Sequence, residues 1–321
     1  MKLIYFDDFQ LGVLKGERVV NITSVLSDIP HRDRQDLMTG LIAGFDAYRP
    51  RIESQLATEQ GTPLASVTLR APLPRPRPRQ ISCMAVNYME NGTLDARPPM
   101  NAFHKSPGAI IGPGETMLLP DVPASVFEGE AELGVVIGRR ASNVPAAQAL
   151  SYVFGYVNFI DGSARGLPPA HNVFFQAKSR DTFAPVGPYI VTADEIADPQ
   201  KLQVQLWVNE MLKQDFNTDD MAHDIVRCIE WVSAIHALEP GDIVATGTNH
   251  RGLSALHDGD RVELEIEGLG RLRIHVRDDL KRTWSRDTRL ECSMKYVAET
   301  GQKAPPTGVI ARQLSGRYAQ T

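Results

Sequence analysis

Apolar and polar residues alternate along much of the chain after residue 80, which is the pattern of β-strands rather than helices. Strands are predicted in the segments ISCMAV, LGVVIG and YVFGYVNFI. The segment VQLWVNEMLKQDF is predicted as a hairpin that turns at Asn209 and Glu210, and a second hairpin joins DRVELEIE to RLRIHVRD. The pattern therefore predicts a β-rich chain from Ile81 onward.

Helical periodicity is limited to two stretches. One covers residues 33–56, and the other begins at Thr218, whose side chain is expected to cap it. Proline and glycine in LEPGD, residues 238–242, are expected to end the second helix. The apolar face of that helix is predicted to consist of Met221, Ile225, Ile229, Val232 and Ile235.

A domain boundary is predicted in APLPRPRPRQ, residues 71–80, because alternating proline and arginine exclude a helix and favour an extended connector. We therefore expect a small α+β N-terminal domain over residues 1–73 and a larger domain over residues 74–321. From about residue 278 the chain becomes polar and irregular. This last part is expected to be an ordered extension without catalytic residues, or an oligomer contact.

Composition limits the classes of partner and compartment. The net charge of -5 leaves no basic excess for a phosphate backbone, so we expect no nucleic-acid partner. No apolar run has the length of a membrane span, and the first residues meet acid before an apolar stretch forms, so neither a membrane partner nor a secretory signal is expected. Three widely spaced cysteines are typical of reduced thiols, and we expect a cytoplasmic protein.

Three glutamates at alternate positions precede one of the apolar segments, in FEGEAELGVVIG. In an extended strand Glu128, Glu130 and Glu132 project from one face, roughly 6 to 7 Å apart, where they repel one another. Asp161 ends the next long apolar segment, and consecutive strands are usually neighbours. These residues alone are compatible with a solvated face or with a site for Mg²⁺, Mn²⁺ or Ca²⁺, which prefer carboxylate oxygens.

The chain resembles the fumarylacetoacetate hydrolase family in a series of segments that follow the family's order: EAELGVVIG, GYVNFIDGSAR, AKSRDTFAPVGP, NTDDM, LEPGDIVATGT and GDRVELEIEGLGRL. The resemblance runs from about Ile81 to about Val276. It implies a β-rich α+β fold, namely the mixed β-roll of the family's C-terminal type preceded by a small N-terminal domain, and often a homodimer. The catalytic domain would then be residues 74–321.

The resemblance also implies roles for individual residues. In the family, the E-x-E pair and the aspartate of D-x-S-A-R hold the ion, which makes Glu130, Glu132 and Asp161 the expected ligands of Mg²⁺ or Mn²⁺, with Ca²⁺ as a further fit. Glu128 lies outside this ligand set. The expected substrate contacts are Arg165, Thr248 and Tyr88, and Lys178 is expected to be catalytic.

The chain departs from the family where hydrolytic members carry a histidine after an Asn-Tyr pair. Asn91 occupies that position, and asparagine cannot accept a proton at neutral pH. Glu90 or His104 is a candidate for the missing base, and His250 in the NHRG segment is a further residue that could face the site. Pro168 stands where the family commonly has glutamine.

The expected activity is cleavage of a carbon–carbon bond in a 2,4-dioxo acid or related diketone, through an enolate held by a divalent ion, in a catabolic pathway. Because Asn91 replaces the usual base, the alternatives are a decarboxylase, an isomerase or a hydratase/lyase of the same fold. A decarboxylase, an isomerase or a related lyase needs the stabilised enolate but no activated water. A binding paralogue without turnover is a third hypothesis. In each case the expected partner is a small oxo acid or diketone.

Overall fold

The computed structural model describes residues 1–74, 80–169 and 174–319, and these residues form three β-sheets with helices packed around them. The strands are β1 (Lys2–Phe6), β2 (Gln10–Lys15), β3 (Arg18–Asn21), β4 (Thr62–Pro63), β5 (Leu69–Arg70), β6 (Ile81–Met84), β7 (Ala102–Lys105), β8 (Ile110–Ile111), β9 (Thr116–Leu118), β10 (Val126–Ile137), β11 (Val153–Arg165), β12 (Ala184–Thr192), β13 (Gln203–Val208), β14 (Met211–Asn217), β15 (Ile243–Ala245), β16 (Arg261–Ile266), β17 (Arg271–Arg277), β18 (Thr283–Trp284) and β19 (Gln313–Ser315). The α-helices are α1 (Arg34–Ala43), α2 (Phe45–Thr58), α3 (Phe174–Lys178), α4 (Ile225–Ile235) and α5 (Arg289–Thr300).

The largest sheet has the strand order β4-β3-β2-β1-β12-β11-β10-β15-β6-β7, with β5 beside β1 and β8 beside β12. Most of its pairs are antiparallel, but β15 runs parallel to β6 and β12 runs parallel to β8. A second sheet has the order β14-β13-β16-β17-β9 and contains both predicted hairpins. The predicted β-rich α+β class is confirmed.

The two sheets are joined by buried amide side chains. Asn158 on β11 donates to the carbonyl of Gly270 at 2.9 Å and accepts from the N–H of Ile266 at 3.1 Å. Gln214 on β14 donates to the carbonyl of Gly129 at 2.8 Å and accepts from the N–H of Ala131 at 3.1 Å. These contacts hold the second sheet against β10 and β11, the two longest strands.

Strand β10 is longer than predicted because it includes the acidic segment as well as LGVVIG. All of its residues, Val126–Ile137, are buried. A strand covered on both faces does not need alternating apolar and polar residues, so periodicity marks only its apolar half. Glu128, Glu130 and Glu132 therefore lie inside the molecule and not on a solvated face.

The predicted helical stretch over residues 33–56 is divided in two at Gly44. Helix α1 is capped by Asp33, which accepts from the N–H of Asp36 at 2.9 Å, and it ends where the Gly44 N–H reaches the carbonyl of Gly40 at 3.0 Å. Helix α2 begins at the next residue and contains Pro50 in its second turn.

The second predicted helix begins later than Thr218. Asp224 is the cap of α4, accepting from the N–H of Arg227 at 2.7 Å. Thr218 instead accepts from the N–H of Leu202 at 2.8 Å and starts a short 3-10 turn. The predicted cap is therefore wrong, because the hydroxyl of Thr218 is used in a tertiary contact.

The C-terminal part is more regular than predicted. Thr288 and Glu291 form a capping box at the start of α5, and Gly301 in the left-handed conformation ends this helix. Strands β18 and β19, which flank α5 in the sequence, pair with each other. The expectation that the chain is irregular from about residue 278 is therefore wrong, while its expected role, as a non-catalytic extension or an oligomer contact, stays a prediction.

Strands from residues 1–73 join the large sheet directly, because β1 pairs with β12. The division into domains at residue 73 stays a prediction, and residues 75–79 of the proposed connector lie outside the described residues. Over the described part of the chain, the helices are too short or too polar to cross a membrane.

Candidate metal centre

The predicted acidic cluster forms across the pair of strands β10 and β11. Glu130 lies directly opposite Asp161 in the antiparallel register, so both side chains project from the same face. Glu132 follows two residues later on that face. One carboxylate oxygen from each of the three lies within 4.8 Å of the others, and all three residues are buried. The prediction that the two strands are neighbours is therefore confirmed.

Two buried lysines compensate part of this negative charge. Lys178 Nζ lies 2.6 Å from Asp161 Oδ2 and 2.9 Å from Glu130 Oε2. Lys105 Nζ donates to Asp161 Oδ1 and to the main-chain carbonyls of Gly162 and Lys178. Asp161 therefore has a cation on each of its oxygens.

The three carboxyl groups differ in their electrostatic environment. Burial disfavours the charge of Glu130, but Lys178, Arg165 and His250 together hold the pKa of this carboxyl well below its usual range. The pKa of Glu132, in contrast, is raised well above its usual value. Burial is the largest cause, and repulsion from Asp161 and Glu130 adds to it.

Glu132 is also incompletely bonded. Its Oε2 accepts from the N–H of Gly247 at 2.8 Å, but its Oε1 has no hydrogen-bond partner among the described residues. A buried carboxylate oxygen without a partner is costly, and a divalent cation would remove that cost. The donor set of three carboxylates fits Mg²⁺, Mn²⁺ or Ca²⁺.

Glu128 has a different set of partners from the three clustered acids. Arg289 at the start of α5 binds it in a bidentate manner, at 2.8 and 2.6 Å, and Arg165 Nε lies 2.8 Å from Oε2. Although burial disfavours its charge, the two arginines lower the pKa of Glu128. Arg165 also contacts Glu130, and it thus links Glu128 to the cluster.

A buried pair of Glu90 and His250 lies near the acidic cluster. Glu90 Oε1 is 2.6 Å from His250 Nδ1, and Oε2 accepts from the N–H of His250 at 2.9 Å. His250 is among the groups that lower the pKa of Glu130, so the imidazole lies within electrostatic range of the cluster. In the neutral imidazole, the contact with Glu90 assigns the proton to Nδ1 and leaves Nε2 as an acceptor.

Asn91 takes no part in that pair but supports it. Its N–H donates to Asp220 Oδ2 at 3.0 Å, and its side-chain oxygen accepts from Asn249 Nδ2 at 3.2 Å. Asn249 Nδ2 also donates to Asp220 Oδ2 at 3.1 Å. These bonds join the turns that carry Glu90 and His250.

The remaining predicted site residues lie at varying distances from the cluster. Tyr88 is buried, packs edge-on against Phe216 and has a raised pKa, because of its burial and the nearby charge of Glu132. The hydroxyl of Thr248 donates to Gln214 Oε1 at 3.0 Å. His104 lies on β7 next to Lys105, so the two side chains project from opposite faces, and its ring contacts His236 instead of the acids.

Sequence reasoning missed Lys105. Its residue type and its place beside His104 in FHKSP carry no periodic signal, and its contacts with Asp161 and with the main-chain carbonyl of Lys178 form only when the chain folds. Arg289 was missed for the same reason, since its partner Glu128 is distant in sequence.

Comparison with known proteins identifies relatives along most of the chain. Residues 80–277 match the family model described as fumarylacetoacetate (FAA) hydrolase C-terminal. Maleylpyruvate hydrolase of Aquipseudomonas alcaligenes is 32% identical over 295 residues, which cover 86% of this chain and 99% of that protein. An oxaloacetate tautomerase of Bacillus subtilis is 36% identical over 221 residues, which cover 65% of this chain and 73% of that protein.

A solved structure agrees with these sequence matches. Maleylpyruvate hydrolase from Sphingobium sp. SYK-6, in complex with manganese(II) ion and pyruvate, superposes with a TM-score of 0.78 at 37% identity, covering 87% of this chain and 99% of that chain. The family model spans more than half of the chain, and the buried E-x-E and aspartate cluster lies within the matched residues. The chain belongs to the fumarylacetoacetate hydrolase family.

Proposed function

We propose that this chain is a divalent-metal-dependent hydrolase that cleaves a carbon–carbon bond in a 2,4-dioxo acid (acylpyruvate). The observation that carries this proposal is a buried three-carboxylate cluster, with one unpartnered oxygen, near a buried Glu–His pair. The manganese ion and pyruvate of the Sphingobium relative support the same kind of ion and product.

Glu130, Glu132 and Asp161 are the proposed ligands of Mg²⁺ or Mn²⁺, with Ca²⁺ as a further fit. When bound, such an ion supplies Lewis acidity toward the adjacent oxygens of an oxo acid. Lys178 and Arg165 hold these carboxylates in place and present positive charge to the anionic substrate.

His250 is the proposed general base. It would serve in the role of the histidine that hydrolytic members of the family carry at the position of Asn91. Its Nε2 takes a proton from water while Glu90 holds the proton on Nδ1, and the water oxygen attacks the C4 carbonyl carbon. The C3–C4 bond then breaks, and its electron pair stays on C3 as the enolate of pyruvate. His250 returns its proton to C3, so the products are a carboxylic acid and pyruvate.

A proton-transfer enzyme is the second candidate. The relative named oxaloacetate tautomerase favours it, because tautomerisation moves a proton within one oxo acid and needs no attacking water. The same Glu90 and His250 pair would carry that proton. The two candidates therefore share residues and differ only in the fate of the C3–C4 bond.

Product analysis tests the proposal. Purified protein is loaded with Mn²⁺ and given acylpyruvates and oxaloacetate, and the loss of enol absorbance is followed together with pyruvate, acid and CO₂. Pyruvate and acid in equal amounts support hydrolysis. Faster enol–keto exchange without cleavage supports the tautomerase, CO₂ release supports a decarboxylase, and binding without any turnover contradicts an enzymatic role.

Substitutions test the assigned base. His250→Gln is expected to keep Mn²⁺ affinity and to lower kcat by about 100-fold or more, the usual contribution of a general base. The control is His275→Gln, an exposed histidine on β17. Equal turnover in the two variants would overturn the role of His250.

A further inference from the structure

Two histidines outside the acidic cluster, His104 and His236, lie ring against ring at the edge of the largest sheet. Their ring centroids are 4.9 Å apart. His104 lies on β7, which is the last strand of this sheet, and His236 is the residue at which helix α4 ends. The proposed reaction uses neither ring, so the pair is free for another role.

Both rings have a nitrogen that can accept a further partner. The ring of His104 forms no hydrogen bond with the described residues. His236 Nδ1 lies 3.1 Å from the carbonyl oxygen of Ala237, so it donates its proton there and Nε2 keeps its lone pair. The contact of Nε2 with Ser82 Oγ is long, at 3.5 Å. A neutral imidazole with such a lone pair is a common metal ligand.

The spacing of the two rings fits one shared ion. Zinc–nitrogen distances are about 2.0 to 2.1 Å, so two imidazoles on one tetrahedral ion have centroids roughly 5 Å apart. Ser82 and His104 are directly opposite in the antiparallel pair of β6 and β7, so their side chains project from one face. His236 Nε2, near Ser82, therefore lies over the face that carries His104.

Helix α4 ends at this pair of rings. His236 is its C-cap residue, and the N–H of His236 donates to the carbonyl of Val232 at 3.2 Å. The C-terminal end of a helix carries a partial negative charge that favours a cation near the last turn. An ion held by the His236 ring lies at this end of the helix.

Two carboxylates also lie near His104. Glu239 and Asp242 line a cavity of about 460 Å³ together with His104. Asp242 is held in place by two backbone N–H donors, at 3.0 and 2.8 Å, and it lies within electrostatic range of His104. Lys105 lines the same cavity, but its ammonium is bound to Asp161. The surroundings of the two rings therefore favour a cation.

We infer that His104 and His236 bind a divalent ion of the nitrogen-preferring class, of which Zn²⁺ fits best and Ni²⁺ and Cu²⁺ are further members. Water or a carboxylate of the cavity fills the remaining positions. The site is separate from the acidic cluster, because imidazoles select these ions whereas three carboxylates select Mg²⁺ or Mn²⁺. The inference does not depend on the proposed function.

The ion joins an edge strand to the end of a helix. Lys105 projects from the opposite face of β7 and binds Asp161. An ion on His104 therefore also restrains the strand that carries Lys105. Because the two rings meet only in the folded chain, Zn²⁺ stabilises the folded state.

Calorimetric titration of the metal-free, tag-free protein with Zn²⁺ tests the inference. We expect a binding step that becomes at least about 10-fold weaker in His104→Gln and in His236→Gln. The same step should persist in Glu132→Gln, which alters the acidic cluster, and in His275→Gln, which changes an exposed histidine on β17. Binding of Mn²⁺ should stay normal in His104→Gln. Near-UV circular dichroism checks that each variant is folded.

Pulsed EPR identifies the ligands directly. Glu132→Gln protein loaded with one equivalent of Cu²⁺ should show coupling to two imidazole nitrogens. Adding either His104→Gln or His236→Gln should reduce the coupling to one imidazole. Zn²⁺ should raise the Tm of the Glu132→Gln protein and should leave the Tm unchanged once either histidine is replaced.

Uptake of Zn²⁺ that survives both histidine substitutions is an adventitious ion only and overturns the inference. The absence of any Zn²⁺ step in Glu132→Gln overturns it as well. Neither measurement needs a substrate, so a failure to cleave acylpyruvates would remove the proposed function and leave this result unaffected.

Discussion

Glu132 differs from the other acids around it because no cation among the described residues contacts it. Two arginines bind Glu128. Lys178 and Arg165 bind Glu130. Lys178 and Lys105 bind Asp161. The carboxyl of Glu132 has one backbone donor, an unpartnered oxygen and a raised pKa. A buried site with one under-compensated acid is suited to an added cation.

Replacing this acid should separate metal binding from folding. We expect Glu132→Gln to weaken Mn²⁺ binding by about 100-fold or more, since even residues that only orient a ligand contribute about 10- to 100-fold. Stability should fall little, because Gln has the same size, can still accept from the N–H of Gly247, and replaces a carboxyl that has no ion-pair partner among the described residues. Calorimetric titration with Mn²⁺ measures the first effect and urea unfolding the second.

Glu263→Gln is the matched control, because Glu263 is also a buried strand glutamate but is paired with Arg273 away from the cluster. It should bind Mn²⁺ normally. Unchanged affinity in Glu132→Gln would show that the cluster is not the metal site.

At the scale of elements, strand β10 and helix α5 are joined through Glu128. The bidentate contact of Arg289 with Glu128 is buried, and it connects a helix of the extension to the strand that carries two proposed ligands. Removing one partner of a buried pair leaves a charge without compensation, which costs more than the pair contributes.

Arg289→Ala should therefore destabilise the protein by about 3 kcal/mol, the lower end for a buried pair because Arg165 still contacts Glu128. Urea unfolding provides the measurement. Arg140→Ala is the control, since the pair of Arg140 and Glu239 is exposed and should contribute about 1 kcal/mol or less. Equal losses in the two variants would contradict a structural role for the contact with Glu128.

At the scale of the whole molecule, metal binding and folding are linked because the cluster exists only when β10 and β11 are paired. A ligand that binds only the folded state at 100 times its Kd stabilises it by about 2.7 kcal/mol. Mn²⁺ should raise the Tm in scanning calorimetry, EDTA should reverse the rise, and Glu132→Gln should show none. A Tm that is independent of Mn²⁺ would contradict the proposed centre.

The N-terminal segment belongs to the same large sheet, where β1 covers one edge of the fully buried strand β12. A protein lacking residues 1–73 should expose this edge and aggregate, because open apolar edges pair with other chains. Soluble yield and size-exclusion chromatography measure the outcome. A folded, Mn²⁺-binding product would instead support a separable N-terminal domain.

Local patterns were sufficient for several elements and for the common face of the acids, whereas the resemblance to the family was needed to assign Glu130, Glu132 and Asp161 as metal ligands. The two hairpins, the pairing of β10 with β11 and the common face of Glu130 and Glu132 follow from alternation and from neighbouring strands. The capping box of Thr288 and Glu291 is a further signal that indicates α5. These features depend on residues close in sequence, whose relative positions the backbone geometry sets.

The partners of the acids were decided only by the tertiary structure. Glu90 and His250 are 160 positions apart, Arg289 and Glu128 are 161 apart, and Lys105 and Asp161 are 56 apart. Periodicity carries no information about such distances, because they depend on strand order and on how the sheets and α5 pack. The sequence by itself determined the strands and the acidic face, whereas folding decided which bases and cations meet that face.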